Sequence, residues 1–263
     1  MPRHDTMPAA APESVISLKG VAIGYGGRAI VEGIDLEVRR GEILFIGGGS
    51  GCGKTTLLAS LNTLRPPLAG SIVFEGIELA GADDETLQRV RRRFGMMYQL
   101  GALFGSMTLL ENVRLPLEEF TDLPREAMDA VVRAKLGLVG LAAHADKRPA
   151  ELSGGMQKRA AIARALALDP PILFLDEPSA GLDPVTSADL DALIVALNRM
   201  LGTTFVVISH ELASILSIGH RFAMLDGARR RLVAVGPPAE LRDRSADPWV
   251  RKFLSRSPSG EAA

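Results

Sequence analysis

The chain has 263 residues, 47% of them apolar and 23% charged, with a formal net charge of −1 and a single cysteine. That balance suits one large α/β domain with a sizeable core, and the near-neutral charge excludes the basic footprint of a nucleic-acid binder. A lone cysteine excludes a disulfide framework and fits a reducing, cytosolic compartment, and no uncharged apolar run reaches the ~18 residues that a membrane span needs.

Residues 1–14 lack the apolar core of a signal peptide and read as a flexible tail ahead of the domain. Val15 to Val38 alternates apolar and polar residues around Gly24-Tyr25-Gly26-Gly27, a hairpin pattern. Tyr25 in that turn is either packed over it or free to stack on a base. Glu42 to Ile46 reads as a short buried strand. Gly48-Gly49-Ser50-Gly51-Cys52-Gly53-Lys54-Thr55 follows, fitting G-x-x-x-x-G-K-[ST], and a helix opens at Thr55-Thr56. Strand, glycine loop and helix in that order curl backbone N–H groups around an anion at a positive helix end. Lys54 then reaches β- and γ-phosphates and the Thr55 hydroxyl takes a Mg²⁺ position.

Ser71 to Leu79 continues the antiparallel layer, Glu85 to Arg93 reads as a polar helix, and Met96 to Gln99 as a short buried strand with a polar end. Glu111 to Leu141 and Met156 to Leu168 carry helical periodicity, so residues from about 100 to 157 form an inserted helical subdomain. Pro171 to Pro178 and Thr203 to Ser209 lack alternation, as strands covered on both faces do. The first ends in Asp176-Glu177 and the second at His210. Asp189 to Met200 is an amphipathic helix, and Arg221 to Val235 a closing hairpin around Asp226-Gly227.

Cleaving a γ-phosphate needs a cradle, a metal, an oriented water and compensating charge. Asp176 offers metal-side oxygen, through a coordinated water. Glu177 is placed to polarise the attacking water, although a Glu after an Asp at a strand end can equally cap the next segment. Gln99 suits a reach to metal or water, and His210 a bond to the γ-phosphate. Leu152-Ser153-Gly154-Gly155-Met156 opens a helix with a hydroxyl and small residues, a second phosphate device. One nucleotide already has its cradle, so the second serves the nucleotide of a twin related by a two-fold axis.

Taken in order, Tyr25, the phosphate loop, Gln99, Leu152-Ser153-Gly154-Gly155, Asp176-Glu177, Ser179-Ala180-Gly181-Leu182-Asp183 and His210 resemble the ATPase subunits of ABC transporters. The resemblance spans roughly Val15 to Leu241. It implies a P-loop NTPase fold of ABC type: a mixed sheet core, an antiparallel β-layer and an inserted helical subdomain. It also implies that ATP with Mg²⁺ binds along Gly48 to Thr56 (Gly48, Gly49, Ser50, Gly51, Cys52, Gly53, Lys54, Thr55, Thr56). Tyr25 then stacks on adenine, Ser153, Gly154 and Gly155 contact the twin's γ-phosphate, Asp183 couples the two sites, and His210 is the switch histidine. Met156 stands where the family signature has Gln.

The run Gly101 to Val113 and the ending Asp247 to Leu254 are similar to the MlaF-type ATPases of Mce lipid-transport systems. That similarity implies lipid cargo, a membrane permease, Mce lipid-binding and small accessory subunits, and a place on the cytoplasmic face of the inner membrane. Leu103 and Phe104 are expected to line a groove for a permease helix. Trp249, Val250, Phe253 and Leu254 form an apolar stripe on a C-terminal helix within residues 246–263, packed on its own domain or on a twin or accessory protein. The resemblance leaves open another cargo or a non-transport role such as iron–sulfur-cluster assembly. An SMC-type DNA ATPase is excluded because no heptad run separates Lys54 from Ser153.

Overall fold

The computed structural model describes residues 13–255. Two long strands, β1 (Ser14–Tyr25) and β2 (Arg28–Arg39), pair antiparallel with Ile16 opposite Val38 and Leu18 opposite Leu36. Gly26 and Gly27 both take positive φ (54° and 74°), the backbone of a two-residue turn whose twist suits a hairpin. On the other edge of β1 lies β4 (Ala69–Phe74), followed by the two-residue β5 (Ile77–Glu78), giving a sheet of order β2-β1-β4-β5. The continuous strand expected over Ser71 to Leu79 is therefore a small hairpin, broken where Glu75 (φ 43°) and Gly76 (φ 82°) turn the chain.

The second sheet has the order β10-β9-β3-β8-β7-β6. Its middle is parallel: β3 (Ile43–Gly48), β8 (Thr204–Ile208), β7 (Ile172–Asp176) and β6 (Phe94–Met97) run side by side in that order. β9 (Arg221–Asp226) joins β3 in parallel and turns back into β10 (Arg231–Gly236), the expected closing hairpin. Period-two alternation divides β3 between two cores. Leu44 and Ile46 join the antiparallel layer and Leu57, Leu58 and Leu61 of helix α1 (Lys54–Leu61), whereas Ile43 and Phe45 face the helices on the far side. Phe94 ties the layers together, 5.9 Å from the Phe74 ring and 5.3 Å from that of Phe174.

Helix α2 (Asp84–Arg91), capped by Asp83, precedes β6. Between β6 and β7 come α3 (Leu109–Phe120), α4 (Arg125–Leu138) and α5 (Gly154–Ala165). Thr108 and Glu111 close a capping box at the start of α3. The helical run expected from Glu111 to Leu141 is two helices, because extended backbone at Thr121 ends α3 and Pro124 precedes α4. A subdomain limit at residue 157 falls inside α5.

Helix α6 (Pro184–Leu201) leads into β8, and α7 (Leu212–Ile218) leads from β8 towards β9. α8 (Pro238–Arg244) and α9 (Pro248–Ser255) follow β10. Val250 and Leu254 of α9 are buried, and the Phe253 ring stacks on Phe222 at 6.1 Å, so the C-terminal stripe packs on its own domain. The tail assigned to residues 1–14 lies outside the described residues up to residue 12. Glu13 is ion-paired with Arg40 at 2.9 Å, and β1 already begins at Ser14. Residues 256–263 also lie outside the description. Among the described residues no helix is long and apolar enough to cross a membrane.

Candidate phosphate site and its second half

Four parallel strands deliver the site along one edge of the sheet. β3 ends in the glycine loop, β8 in Ser209-His210, β7 in Asp176-Glu177, and β6 just before Tyr98-Gln99. This is the carboxyl edge of the strands, where open α/β sheets bind ligands.

The loop needs glycine for steric reasons. At Gly48 (φ 146°) a Cβ would meet the Leu225 carbonyl oxygen at 2.2 Å, and at Gly53 (φ 101°) it would meet Val31 Cγ2 at 2.8 Å. Gly53 is also the N-cap of α1, so no side chain caps that end, and the first turn holds no acidic residue. The free amides and the partial positive charge there are matched to an anion. Lys54 Nζ donates to the Gly48 and Gly49 carbonyls at 3.0 and 3.1 Å, folded over the loop. Cys52 is buried beneath it. Ser50, Gly51 and Thr55 are exposed, and Gly49 is half-buried. Thr56 is buried, and its hydroxyl donates to the Tyr25 hydroxyl at 3.2 Å. The Arg65 guanidinium lies 4.3 Å from the Tyr25 ring centroid, covering one face of a ring that remains 48% exposed. Tyr25 is thus oriented at its hydroxyl and on one face.

Asp176 and Glu177 part company at the end of β7. Glu177 has φ 46°, left-handed backbone for a non-glycine residue, with its N–H on the Ile208 carbonyl at 2.8 Å. Its side chain is largely buried, and Oε1 stands 2.8 Å from His210 Nδ1. Burial raises the Asp176 carboxyl above its ordinary range, and the Glu177 charge pushes the same way against Lys54 and Lys158. No group of three His, Cys, Asp or Glu able to hold a metal occurs among the described residues. The hard oxygens of Thr55, Asp176 and Gln99 instead suit a magnesium ion that is completed by water and phosphate.

Gln99 departs from expectation. β6 stops at Met97, and Gln99 lies exposed in the following turn, with its carbonyl accepting from Lys158 Nζ. Leu103 packs on the helical core, whereas Phe104 is 54% exposed. A cleft between β6, α3 and α5 is lined by Phe94, Met96, Pro116, Phe120 and Arg164.

The second locus sits on two helix starts. Ser153 caps α5, its hydroxyl accepting from the Met156 amide at 3.3 Å, and both it and Gly154 are exposed. Gly155 is buried, and a Cβ there would lie 2.5 Å from Thr186 Cγ2. Asp183 caps α6 by accepting from the Val185 and Thr186 amides, each at 3.0 Å, and from the Thr186 hydroxyl. These bonds hold its carboxyl below the ordinary range. Ser153, Gly154, Gly155 and Asp183 therefore share one junction, while Lys54, Asp176, Glu177 and His210 share the sheet edge.

A family model described as "ABC transporter" matches residues 31–180, the stretch from before the phosphate loop to beyond Glu177. The chain belongs to the ABC transporter family. As a member of it the protein is an ATP-binding ATPase. It is 42% identical to the "Intermembrane phospholipid transport system ATP-binding protein MlaF" of Escherichia coli (strain K12), over 92% of this chain and 88% of that one. It is 40% identical to the "Probable ribonucleotide transport ATP-binding protein mkl" of Mycobacterium leprae, over 91% of this chain and 68% of that one. Among solved structures, the dimeric ATP-binding cassette MJ0796 bound to ADP and Pi superposes with a TM-score of 0.75 at 31% identity, covering 84% of this chain and 98% of that one. CbiO1 of Clostridium perfringens, part of the transporter complex cbiONQ, reaches 0.81 at 26% identity, over 92% and 96%.

Two features escaped the sequence reading. Arg65 on the Tyr25 ring has no local signal. Lys158 does have one: Gly155, Lys158, Ile162 and Ala165 fall on one buried stripe of α5, where a lysine needs a partner.

Proposed function

We propose that this chain is the ATPase of an intermembrane phospholipid transport complex, working as a head-to-tail homodimer under membrane permease subunits. The observation that carries the ATPase chemistry is the ordered sheet edge: bare helix end and Lys54, then His210, then Asp176 and Glu177, then Gln99. Lys54 and the amides from Gly48 to Thr56 hold the β- and γ-phosphates of ATP, with Tyr25 offering its open face to adenine. Thr55, Asp176 and Gln99 would hold Mg²⁺, which when bound neutralises charge on the phosphate oxygens. Glu177 accepts the proton of the attacking water, and His210, 2.8 Å away, fixes the direction of that carboxylate and reaches towards the γ-phosphate. Ser153, Gly154, Gly155 and Asp183 serve the twin's nucleotide, since their junction opens outward from α5 and α6.

The ATPase domain is assigned to residues 15–245, with the helical subdomain from about 100. The C-terminal helix and tail take residues 246–263. The cargo assignment is supported by the 42% identity to MlaF along nearly the whole chain. With it come Mce lipid-binding and small accessory subunits, and the cytoplasmic face of the inner membrane. The test is purification of the native membrane complex followed by mass spectrometry of its bound small molecules and subunits. Phospholipid with a permease supports the proposal. Ribonucleotide in place of lipid would move the chain to the cargo named for the mycobacterial relative, and recovery from cytosol without a permease would end the transport reading.

A further inference from the structure

The segment from Gln99 to Phe104, just past β6, is held in an unusual way. Gly101 (φ 73°) and Ala102 (φ 49°) both take left-handed backbone, so the segment forms no regular element of its own. Its carbonyls are nevertheless bonded, and to side chains of the helical subdomain. Lys158 Nζ donates to the Gln99 carbonyl, and Arg164 donates to those of Gly101 and Ala102 at 2.8 and 2.7 Å. Fully buried Asn112 holds Phe104 at both its N–H (2.7 Å) and its carbonyl (3.1 Å).

Two of these donors are cations on α5, and burying them is costly, since burial lowers the pKa of both. The two cations face different things. Lys158 feels the charges of Asp176 and Glu177, whereas Arg164, about 9 Å further along the helix axis, lines the open cleft between β6, α3 and α5.

We propose that Lys158 and Arg164 are positioning residues for hydrolysis, which set Gln99 by fastening its segment to α5 through main-chain carbonyls. The segment is thereby held by the helical subdomain, although it continues a strand of the sheet. Lys158 sets the register of Gln99 against the two carboxylates, and Arg164 holds the left-handed turn at Gly101 and Ala102 that follows it. The proposal rests on the reading that Gln99 serves the reaction, and it requires neither residue to touch nucleotide.

The test uses the full chain without nucleotide, carrying Lys158→Met or Arg164→Lys, the second of which keeps the charge but loses the two-pronged donor. Hydrogen exchange should quicken about tenfold or more at amides 99–104, while peptides over β3, β7 and the rest of α5 keep parental rates. In ATP hydrolysis kcat should fall severalfold while KM for ATP stays within twofold. Parental exchange in both variants would overturn the proposal, and so would loosening spread evenly over α3 and α5, or a matching loss in KM. Gln99→Ala separates the two claims: if that variant hydrolyses ATP at the parental rate while the exchange result holds, the fastening stands and the role of Gln99 falls.

Discussion

Glu177 carries two separable properties, its carboxylate and its backbone, and three substitutions pull them apart. At φ 46° any Cβ is crowded by the adjoining carbonyl, which costs an L-residue about 1–2 kcal/mol relative to glycine. Glu177→Ala and Glu177→Gly both delete the carboxylate and its 2.8 Å contact with His210, so those losses cancel between them. What remains is the Cβ. The glycine variant should therefore be more stable than the alanine variant by about 1 kcal/mol, a difference of roughly 2–4 °C in melting midpoint. At an ordinary helix or strand position the order is the reverse. Glu177→Gln keeps the shape and an acceptor for His210 but removes the base, so hydrolysis should fall about 10²–10⁴-fold while ATP still binds and holds the dimer closed. The assays are calorimetric melting of the three variants and phosphate release under saturating Mg-ATP. Alanine matching glycine in stability would refute the strain argument, and Glu177→Gln turning over at the parental rate would refute the general base.

The remaining predictions concern the other groups on the edge and the second locus. Lys54→Ala should weaken ATP binding at least tenfold, from loss of a charge-assisted contact of about 1.5–3 kcal/mol, measured by titration calorimetry; unchanged affinity would remove Lys54 from the phosphates. Tyr25→Ala should cost about 0.5–1.5 kcal/mol of ATP affinity through lost stacking, while inorganic tripolyphosphate binds as before; an equal loss for both ligands would show that Tyr25 acts on the loop instead. Gly155→Ala forces a Cβ to 2.5 Å from Thr186 Cγ2 and should destabilise the chain by about 1–3 kcal/mol, with Thr186→Ser restoring most of it; no rescue in the double variant would rule out this clash as the cause. Phe104→Asp, at a 54% exposed position, should leave ATP binding by the isolated chain intact and break the coupling of hydrolysis to transport in the complex. Loss of ATP binding in the folded variant would count against a permease groove there.

The sequence made the centre of the site plain and its margins obscure, for physical reasons. Gly48 to Thr55 was legible because only one local geometry satisfies an apolar strand, four glycines and a helix in that order. Two apolar runs without alternation read as strands covered on both faces, and the structure pairs them side by side, which brings His210 to Glu177. Met96-Met97-Tyr98 reads as strand continuing to Gln99, whereas β6 ends two residues earlier, at Met97. The buried stripe of α5 marks Lys158 as needing a partner, but nothing local says that its partner, or that of Arg164, is a carbonyl beyond β6. Gly76 is the one local sign of the turn there, since nothing marks Glu75 for left-handed backbone. A proline alone does not mark the break, since α3 runs through Pro116; what ends the run is extended backbone at Thr121, before Pro124 opens α4 as its N-cap.

The order of strands in space explains why the Gln99 segment is open to such fastening at all. In sequence β6 precedes β7 and β8, yet in the sheet both lie between it and β3. With neighbouring strands about 4.8 Å apart, the strand leading to Gln99 lies roughly 14 Å from the one leading to the phosphate loop. Gln99 thus follows a strand two places further from the phosphate loop than the strand that leads to His210. As the edge strand, β6 also has no further strand beyond it to claim the carbonyls that follow Met97. Those acceptors fall instead to α5, which packs against β6. The edge position that sets Gln99 three strands from the phosphate loop is thus also the one that leaves the backbone of its segment open to Lys158 and Arg164.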